Sequence, residues 1–194
     1  MAGMTKDDII ALPNPHLRQK SAKVLEVDAA VRDIVSAMTA AAVDWENSRP
    51  HEISAALAAV QMDHLERIII VRSDFDEKDA KEFTPLINPE IVKYEGEIIS
   101  DYEGCLSVKD IYGKVPRYSK VKVKALDLQG REFRVTAEGF LARIFQHEID
   151  HCNGTVFIDH IKDKPEAFYR LKDDGALEPL DYDKEIKNSD ILWG

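Results

Sequence analysis

The most constraining feature of this chain of 194 residues is the segment His147-Glu148-Ile149-Asp150-His151. Residues four apart on an α-helix lie on one face, one turn apart, so the two imidazoles would point the same way. The glutamate between them can then reach a water molecule beside the same cation. The pattern H-E-x-x-H therefore predicts a helix carrying two ligands of a hydrolytic metal site, and the third ligand decides the chemistry.

Composition and charge narrow the class of protein. The net charge of −10 argues against general binding of nucleic acids or anionic membranes. Two cysteines are too few for a disulfide framework and favour a reducing compartment. The first ten residues are charged and lack the apolar core of a signal peptide, and no run approaches the roughly 20 apolar residues of a membrane span. We therefore predict a soluble cytoplasmic protein.

Apolar periodicity predicts a helix near the N-terminus and several short strands. The helix covers residues 24–43, and strands are expected over 57–61 and 67–72, followed by a charged connector over 74–81. Two short strands joined by a turn at Glu95-Gly96 are predicted next. Strict alternation over 121–125 and a turn at Gln129-Gly130 predict a hairpin.

The metal pattern falls on a predicted helix over 138–152, ended by Asn153-Gly154. These elements predict an α+β fold in which short, mostly antiparallel strands surround a central metal-binding helix, with a further helix near the N-terminus. We expect a catalytic domain over residues 1–165 and a polar C-terminal tail over 166–194.

The third metal ligand is not where ordinary zinc peptidases have it. The residues after His151 fit neither the downstream glutamate of thermolysin-like enzymes nor the third histidine of metzincins. Upstream, Cys105 follows a glycine between two predicted strands, and a thiolate there could approach a metal closely. Three protein ligands would leave one position free for water, as in a catalytic site. A small buried hydrophobic residue is the competing interpretation of Cys105.

Three ordered motifs make the chain resemble the peptide deformylases. That family has G-x-G-x-A-A-x-Q, then E-G-C-L-S, then Q-H-E-x-D-H. This chain has S-A-A-L-A-A-V-Q over residues 54–61, E-G-C-L-S over 103–107 and Q-H-E-I-D-H over 146–151. The resemblance extends over about residues 8–165. The chain departs from the family pattern in the first motif, where Ser54 and Ala56 replace both glycines. This replacement implies an altered fit of the substrate.

The resemblance implies removal of the N-terminal formyl group from nascent polypeptides. It implies Cys105, His147 and His151 as metal ligands and Glu148 as the general base. The side-chain amide of Gln61 and the backbone N–H of Leu106 would stabilise the oxyanion. The remaining implied positions are substrate-binding Ala55, Ala56, Gly104 and Ile144, with Glu103 and Arg117 as a charged pair that supports the cysteine loop.

The resemblance also implies the cofactor and the partners. One divalent ion is expected, Fe²⁺ in the cell, with Zn²⁺, Ni²⁺ or Co²⁺ able to replace it; ligand softness alone would equally favour Zn²⁺. Partners would be N-formylmethionyl peptides and, transiently, nascent chains at the ribosome. We expect a monomer with no direct contact to nucleic acid or membrane.

Two other functions stay open at this point. The altered first motif is compatible with hydrolysis of another N-acyl substrate, and an inactive scaffold that binds formylated ends is the third hypothesis. Side chains outside the motifs receive no role: Arg143 is expected to be a solvated helix residue, Cys152 an inert helix end, and His16, His51, His64 and His160 are unassigned.

Overall fold

The computed structural model describes residues 4–49, 52–73 and 81–193. Its long helices are α1 (Ala29–Asn47) and α2 (Gly139–Cys152), and a short helix α3 (Asp190–Trp193) ends the chain. Helix α1 starts five residues later than predicted because the side chain of Asp28 accepts a hydrogen bond from the backbone N–H of Val31 and caps it. Of the charged connector predicted over 74–81, only Lys81 lies within the described residues, and His51 lies outside them.

Seven strands within the described residues form one antiparallel sheet. They are β1 (Ala56–Ala58), β2 (Ile68–Arg72), β3 (Phe83–Cys105), β4 (Val108–Leu126), β5 (Glu132–Glu138), β6 (Phe168–Leu171) and β7 (Leu177–Pro179). The strand order is β1-β2-β3-β4-β6-β7, and β5 also pairs with β4. The predicted α+β fold with antiparallel strands and an N-terminal helix is confirmed.

The long hairpin of β3 and β4 corrects the prediction of two short strands around residue 95. Strand β3 continues through Glu95-Gly96, where the pairing with β4 shifts register between Glu95 and Ile98. Gly96 adopts φ +77°, which lets the strand bulge without reversing. The chain reverses instead after Cys105, whose partner across the hairpin is Val108. The predicted strand over 57–61 is likewise shorter, since a 3-10 turn (Ala59–Met62) follows β1.

Helix α2 lies at the centre of the molecule, as predicted. Ten of its residues are buried, including both histidines and Glu148. Its apolar side chains pack with those of the sheet in one core cluster that includes Val121, Ile144 and Ile149. A second cluster joins α1 to β1 and β2. Burial of most of its residues explains why this polar-looking helix can hold its charged groups in fixed positions.

The segment after residue 165 folds back onto the domain. It contributes the buried side chains Phe168, Leu180, Ile186 and Leu192 to a cluster that also contains Phe157. These apolar residues are widely spaced in a charged sequence, which is why composition predicted a polar tail. The division of the chain at residue 165 stays a prediction. No helix in the described part of the chain combines the length and apolarity needed to cross a lipid bilayer.

Gly154 and Gly130 allow a matched test of the packing behind α2. Both have a left-handed φ, +75° and +74°. A Cβ on Gly154 would lie 2.5 Å from the carbonyl oxygen of Arg18, whereas one on Gly130 would meet no described atom within 4 Å. We expect Gly130→Ala to lower the free energy of unfolding by about 1 kcal/mol, from backbone strain alone. Gly154→Ala should cost about 1–3 kcal/mol more because of the overlap.

Denaturant unfolding of both variants, followed by circular dichroism, measures the difference. Equal losses of stability would contradict the close approach of Gly154 to Arg18.

Candidate active site

Three potential metal ligands meet between the β3–β4 hairpin and α2. The ligand atoms of Cys105, His147 and His151 all lie within 4.8 Å of one another. The Sγ of Cys105 lies 3.2 Å from Nε2 of His151. The structure therefore brings together the three side chains that the sequence singled out. One sulfur and two imidazole nitrogens form a donor set that suits a divalent transition metal.

The fold fixes these ligands from two directions. Cys105 is the last residue of β3, at the hairpin reversal, and the histidines lie one turn apart on α2. Their rings are 5.0 Å apart and nearly perpendicular, and that of His147 stacks on Phe157 with centroids 5.9 Å apart. His151 is fully buried. Positions held by packing in this way need little rearrangement to hold a cation.

A buried carboxylate orients the first histidine. Glu103 accepts a hydrogen bond from Nδ1 of His147 at 2.9 Å, which leaves Nε2 of His147 directed away from the carboxylate. The same carboxylate accepts from Arg117 at 2.9 and 3.1 Å and from Arg143 at 2.8 Å. The predicted Glu103–Arg117 pair is therefore present, and it supports a ligand as well as the loop.

The prediction that Arg143 is a solvated helix residue is wrong. This residue is 6% exposed and also donates to the backbone carbonyls of Ile99 and Val115, each at 2.7 Å. A signal in the sequence could have revealed this. Arg143 precedes His147 by four residues, so it lies on the same helix face and points toward the same carboxylate.

Asp150 and His160 extend the polar network toward the surface. The carboxylate of Asp150 accepts from Arg117 at 2.5 Å and contacts Nε2 of His160 at 2.7 Å. The imidazole partner of Asp150 is thus His160 rather than a metal ligand. His160 was given no role, because its approach to Asp150 depends on the 3-10 turn Phe157–Ile161, which no motif marks.

The network shifts the protonation of the ligands. Burial alone would raise the pKa of the Cys105 thiol, but the charge of His151 and the hydrogen bonds from both histidines outweigh it and lower the pKa to about 5. Burial likewise opposes the charged form of Glu103, yet hydrogen bonds from His147 and Arg117 hold the pKa of this carboxyl below its usual range. Cys105 is therefore a thiolate at neutral pH, the form that binds metals.

Cys152, the second cysteine, has the opposite environment. Burial raises the pKa of its thiol to about 12, so it stays protonated and unreactive at neutral pH. This agrees with the prediction of an inert helix end. The two cysteines are thus chemically distinct.

Glu148 has the environment of a general base. Burial raises the pKa of this carboxyl to about 7, with the two histidines opposing the shift. Its Oε2 is buried and has no hydrogen-bond partner among the residues that the structure describes. A buried carboxylate oxygen without a partner is costly, and such groups mark functional sites. A pKa near the working pH suits a group that must take up a proton and release it again.

Gln61 and Leu106 both lie beside Cys105. The Oε1 of Gln61 accepts from the backbone N–H of Ala58 at 2.9 Å, which fixes the amide. Its Nε2 then donates to Ser107 Oγ at 3.1 Å and contacts Cys105 Sγ at 3.6 Å. Leu106 follows Cys105 in the hairpin turn and lines the same cleft. Both predicted donors therefore border the cluster of potential metal ligands.

A cleft of about 280 Å³ opens onto this cluster of potential metal ligands. Ala55, Ala56, Gly104 and Ile144, which were predicted to bind substrate, all line it. Ser54 does not, because its side chain is fully buried. Sequence reasoning missed further lining residues from distant parts of the chain, for which no local motif exists: Trp45, Glu52, Ile53, Tyr102, Tyr112 and Phe140.

Comparisons with known proteins agree with this geometry. The family model for polypeptide deformylase matches residues 6–167. The peptide deformylase of Thermomicrobium roseum is 43% identical over 164 residues, which cover 83% of this chain and 89% of the relative. A Met-Ala-Ser-bound class I type b peptide deformylase from Acinetobacter baumannii superposes with a TM-score of 0.72 at 31% identity, over 83% of this chain and 100% of that chain.

A Legionella pneumophila peptide deformylase structure gives a TM-score of 0.69 at 37% identity, covering 81% and 86% of the two chains. The sequence motifs, the assembled ligands and these matches lead to one conclusion: the chain belongs to the polypeptide deformylase family.

Proposed function

We propose that this protein hydrolyses the formyl group from the N-terminal methionine of newly made polypeptides, releasing formate and a free amine. The observation that carries the proposal is the buried oxygen of Glu148, which has no hydrogen-bond partner in the described part of the chain and lies beside the cluster of Cys105, His147 and His151. A site that only bound formylated ends would have no use for such a base. The peptide held by the Acinetobacter baumannii relative supports a peptide substrate.

Cys105, His147 and His151 would hold one divalent ion, and Fe²⁺ is the ion we propose in the cell. The thiolate and the two imidazoles match Fe²⁺, Zn²⁺, Ni²⁺ and Co²⁺ in softness. The identity of the bound ion would therefore depend on the supply of each ion in the cell as much as on the affinity of the site. When bound, the ion supplies Lewis-acid activation of water and of the formyl carbonyl.

Glu148 carries the proton in the proposed reaction. It would take a proton from the attacking water, and its carboxyl would then give that proton to the nitrogen of the departing amine. Burial raises the pKa of this carboxyl toward neutral pH, which suits a group that takes up a proton and releases it again. The Glu148 carboxylate must be unprotonated at the start, so turnover should fall as the pH decreases through the pKa that this carboxyl has in the metal-loaded enzyme.

Gln61 and Leu106 would stabilise the negative charge that develops on the formyl oxygen. The amide of Gln61 is already oriented by Ala58, so it needs no reorganisation during the reaction. The backbone N–H of Leu106 would be the second donor. Removal of one such donor typically costs about 10²–10³ in kcat.

The substrate backbone would lie beside β1. Among the described residues this strand pairs with β2 alone, so a peptide could pair with its other edge. Ala55 and Ala56 would line one side of the bound peptide and Gly104 the other, while Ile144 would contact the methionine side chain. The ribosome association, the monomeric state and the cytoplasmic location remain proposals drawn from the sequence.

One assay separates this function from hydrolysis of another N-acyl group and from binding alone. Metal-loaded protein is incubated with formyl-Met-Ala-Ser and with acetyl-Met-Ala-Ser, and free amine is measured. We expect amine from the formyl peptide only. Release from the acetyl peptide would favour the second enzyme hypothesis, and release from neither would favour a binding protein.

The same assay tests Glu148. Glu148→Gln should keep the metal and lower kcat by about 10²–10⁴, because the proton has no carrier. Glu138→Gln, at the exposed start of the same helix, should behave as wild type. Near wild-type turnover of metal-loaded Glu148→Gln would show that another group is the base.

Ala56 and Ser54 allow a second matched comparison. Ala56 lines the cleft, so Ala56→Gly should widen it and lower KM for formyl-Met-Ala-Ser by about fivefold, equivalent to about 1 kcal/mol of relieved crowding. Ser54→Gly should leave KM unchanged, because that side chain is buried outside the cleft. Steady-state kinetics of both variants at equal metal content is the measurement. A higher KM in Ala56→Gly would mean that the methyl group contributes to binding.

A further inference from the structure

A hydrogen bond crosses the cleft between its two walls. The hydroxyl of Tyr112, on β4, donates to Oε2 of Glu52 at 2.7 Å. Glu52 lies four residues before the start of β1, on the wall that carries Ala55 and Ala56. Both partners line the same cleft as Cys105. We refer to this contact as the Glu52–Tyr112 bridge.

The Glu52 end of the bridge is held in place. Its carboxylate lies 3.3 Å from the guanidinium of Arg49, and its side chain is 15% exposed. Arg49 in turn stacks over Trp45 at the end of α1, 5.3 Å from the ring centroid, and lies 3.3 Å from Asp110. Arg49 thus restrains the acceptor and is itself held by two contacts, so the bridge is more than a surface contact between mobile side chains.

At the other end of the bridge, the ring of Tyr112 covers the backbone next to the potential metal ligand Cys105. A Cβ on Gly104 would lie 2.6 Å from Cζ and 2.7 Å from Cε1 of Tyr112, so the ring rests directly on this glycine. Gly104 immediately precedes Cys105 in the chain. Burial, together with the hydrogen bond to Glu52, raises the pKa of the phenol, so Tyr112 stays a neutral donor. The bridge therefore lies within one residue of a proposed metal ligand.

The cleft is small for a peptide site. Its volume of about 280 Å³ lies just below the roughly 300–1,000 Å³ usual for ligand pockets. Tyr112, Trp45 and Glu52 all line the cleft. Because the Tyr112 ring rests on Gly104, next to Cys105, a peptide whose formyl group lies at Cys105 would have to place its second residue near the bridge.

We propose that the Glu52–Tyr112 bridge makes this enzyme selective for the second residue of its substrates, favouring a small side chain after formyl-methionine over a large aromatic one. The inference rests on the proposed deformylase function. Tyr112 acts here as a specificity-determining residue: it sets the space for the second side chain and takes no part in proton transfer. Truncating the ring of Tyr112 should open that space. Removing only its hydroxyl should leave the ring in place but free to move, and so should open the space in part.

The test compares kcat/KM for formyl-Met-Ala-Ser and formyl-Met-Trp-Ser. Wild type should prefer the alanine peptide about tenfold, the size expected when a crowded site must accept extra volume. Tyr112→Ala should reduce the preference to about twofold, mainly by lowering KM for the tryptophan peptide. Tyr112→Phe keeps the ring and loses the bridge. Its preference for the alanine peptide should lie between those of wild type and Tyr112→Ala. Glu52→Gln keeps an acceptor for the hydroxyl and should retain the wild-type preference.

Tyr118→Ala is the matched control, since this tyrosine lies on the same strand, is 38% exposed and is outside the cleft lining. Its preference should equal that of wild type. Equal kcat/KM of wild type for the two peptides, or an unchanged preference in Tyr112→Ala, would overturn the inference and leave the deformylase function intact. If Tyr112→Ala does not fold, an unchanged preference in Tyr112→Phe overturns it. Hydrolysis of neither peptide by wild type would overturn the proposed function itself.

Discussion

The buried carboxylate of Glu103 is the interaction on which the rest of the site depends. It accepts hydrogen bonds from Arg117 on β4, and from Arg143 and His147 on α2. One side chain thus joins the hairpin that ends in Cys105 to the helix that carries both histidines. Removing one partner from such a buried ionic group typically costs about 3–5 kcal/mol, because the remaining charges lose their compensation.

Charge balance explains why this network can be buried at all. The two carboxylates of Glu103 and Asp150 face the two guanidinium groups of Arg117 and Arg143, so these four side chains balance one another in charge. Each also has hydrogen-bonded partners, which offsets much of the cost of desolvation. Within this rigid frame, Glu148 keeps a buried oxygen that has no partner among the described residues and can take the proton of the attacking water.

The sequence predicted the centre of the site better than its surroundings. Cys105, His147, Glu148 and His151 could be identified because the chemistry requires those residue types at fixed spacing, and the motifs lie close together in the chain. Tyr112 and Glu52 could not, because 60 residues separate them and only the fold brings them into contact. The continuous strand β3 was missed for a related reason. A glycine that bulges a strand and a glycine that turns a hairpin look alike in sequence.

Cys105, His147 and His151 bind one metal ion in our interpretation, which X-ray absorption at the metal edge tests most directly. With zinc loaded, we expect one sulfur ligand at about 2.3 Å and two imidazole nitrogens at about 2.0–2.1 Å. The sulfur signal should disappear in Cys105→Ser, with weaker metal retention, and persist in Cys152→Ser. A spectrum without sulfur in the wild-type protein, or an unchanged one in Cys105→Ser, would contradict it.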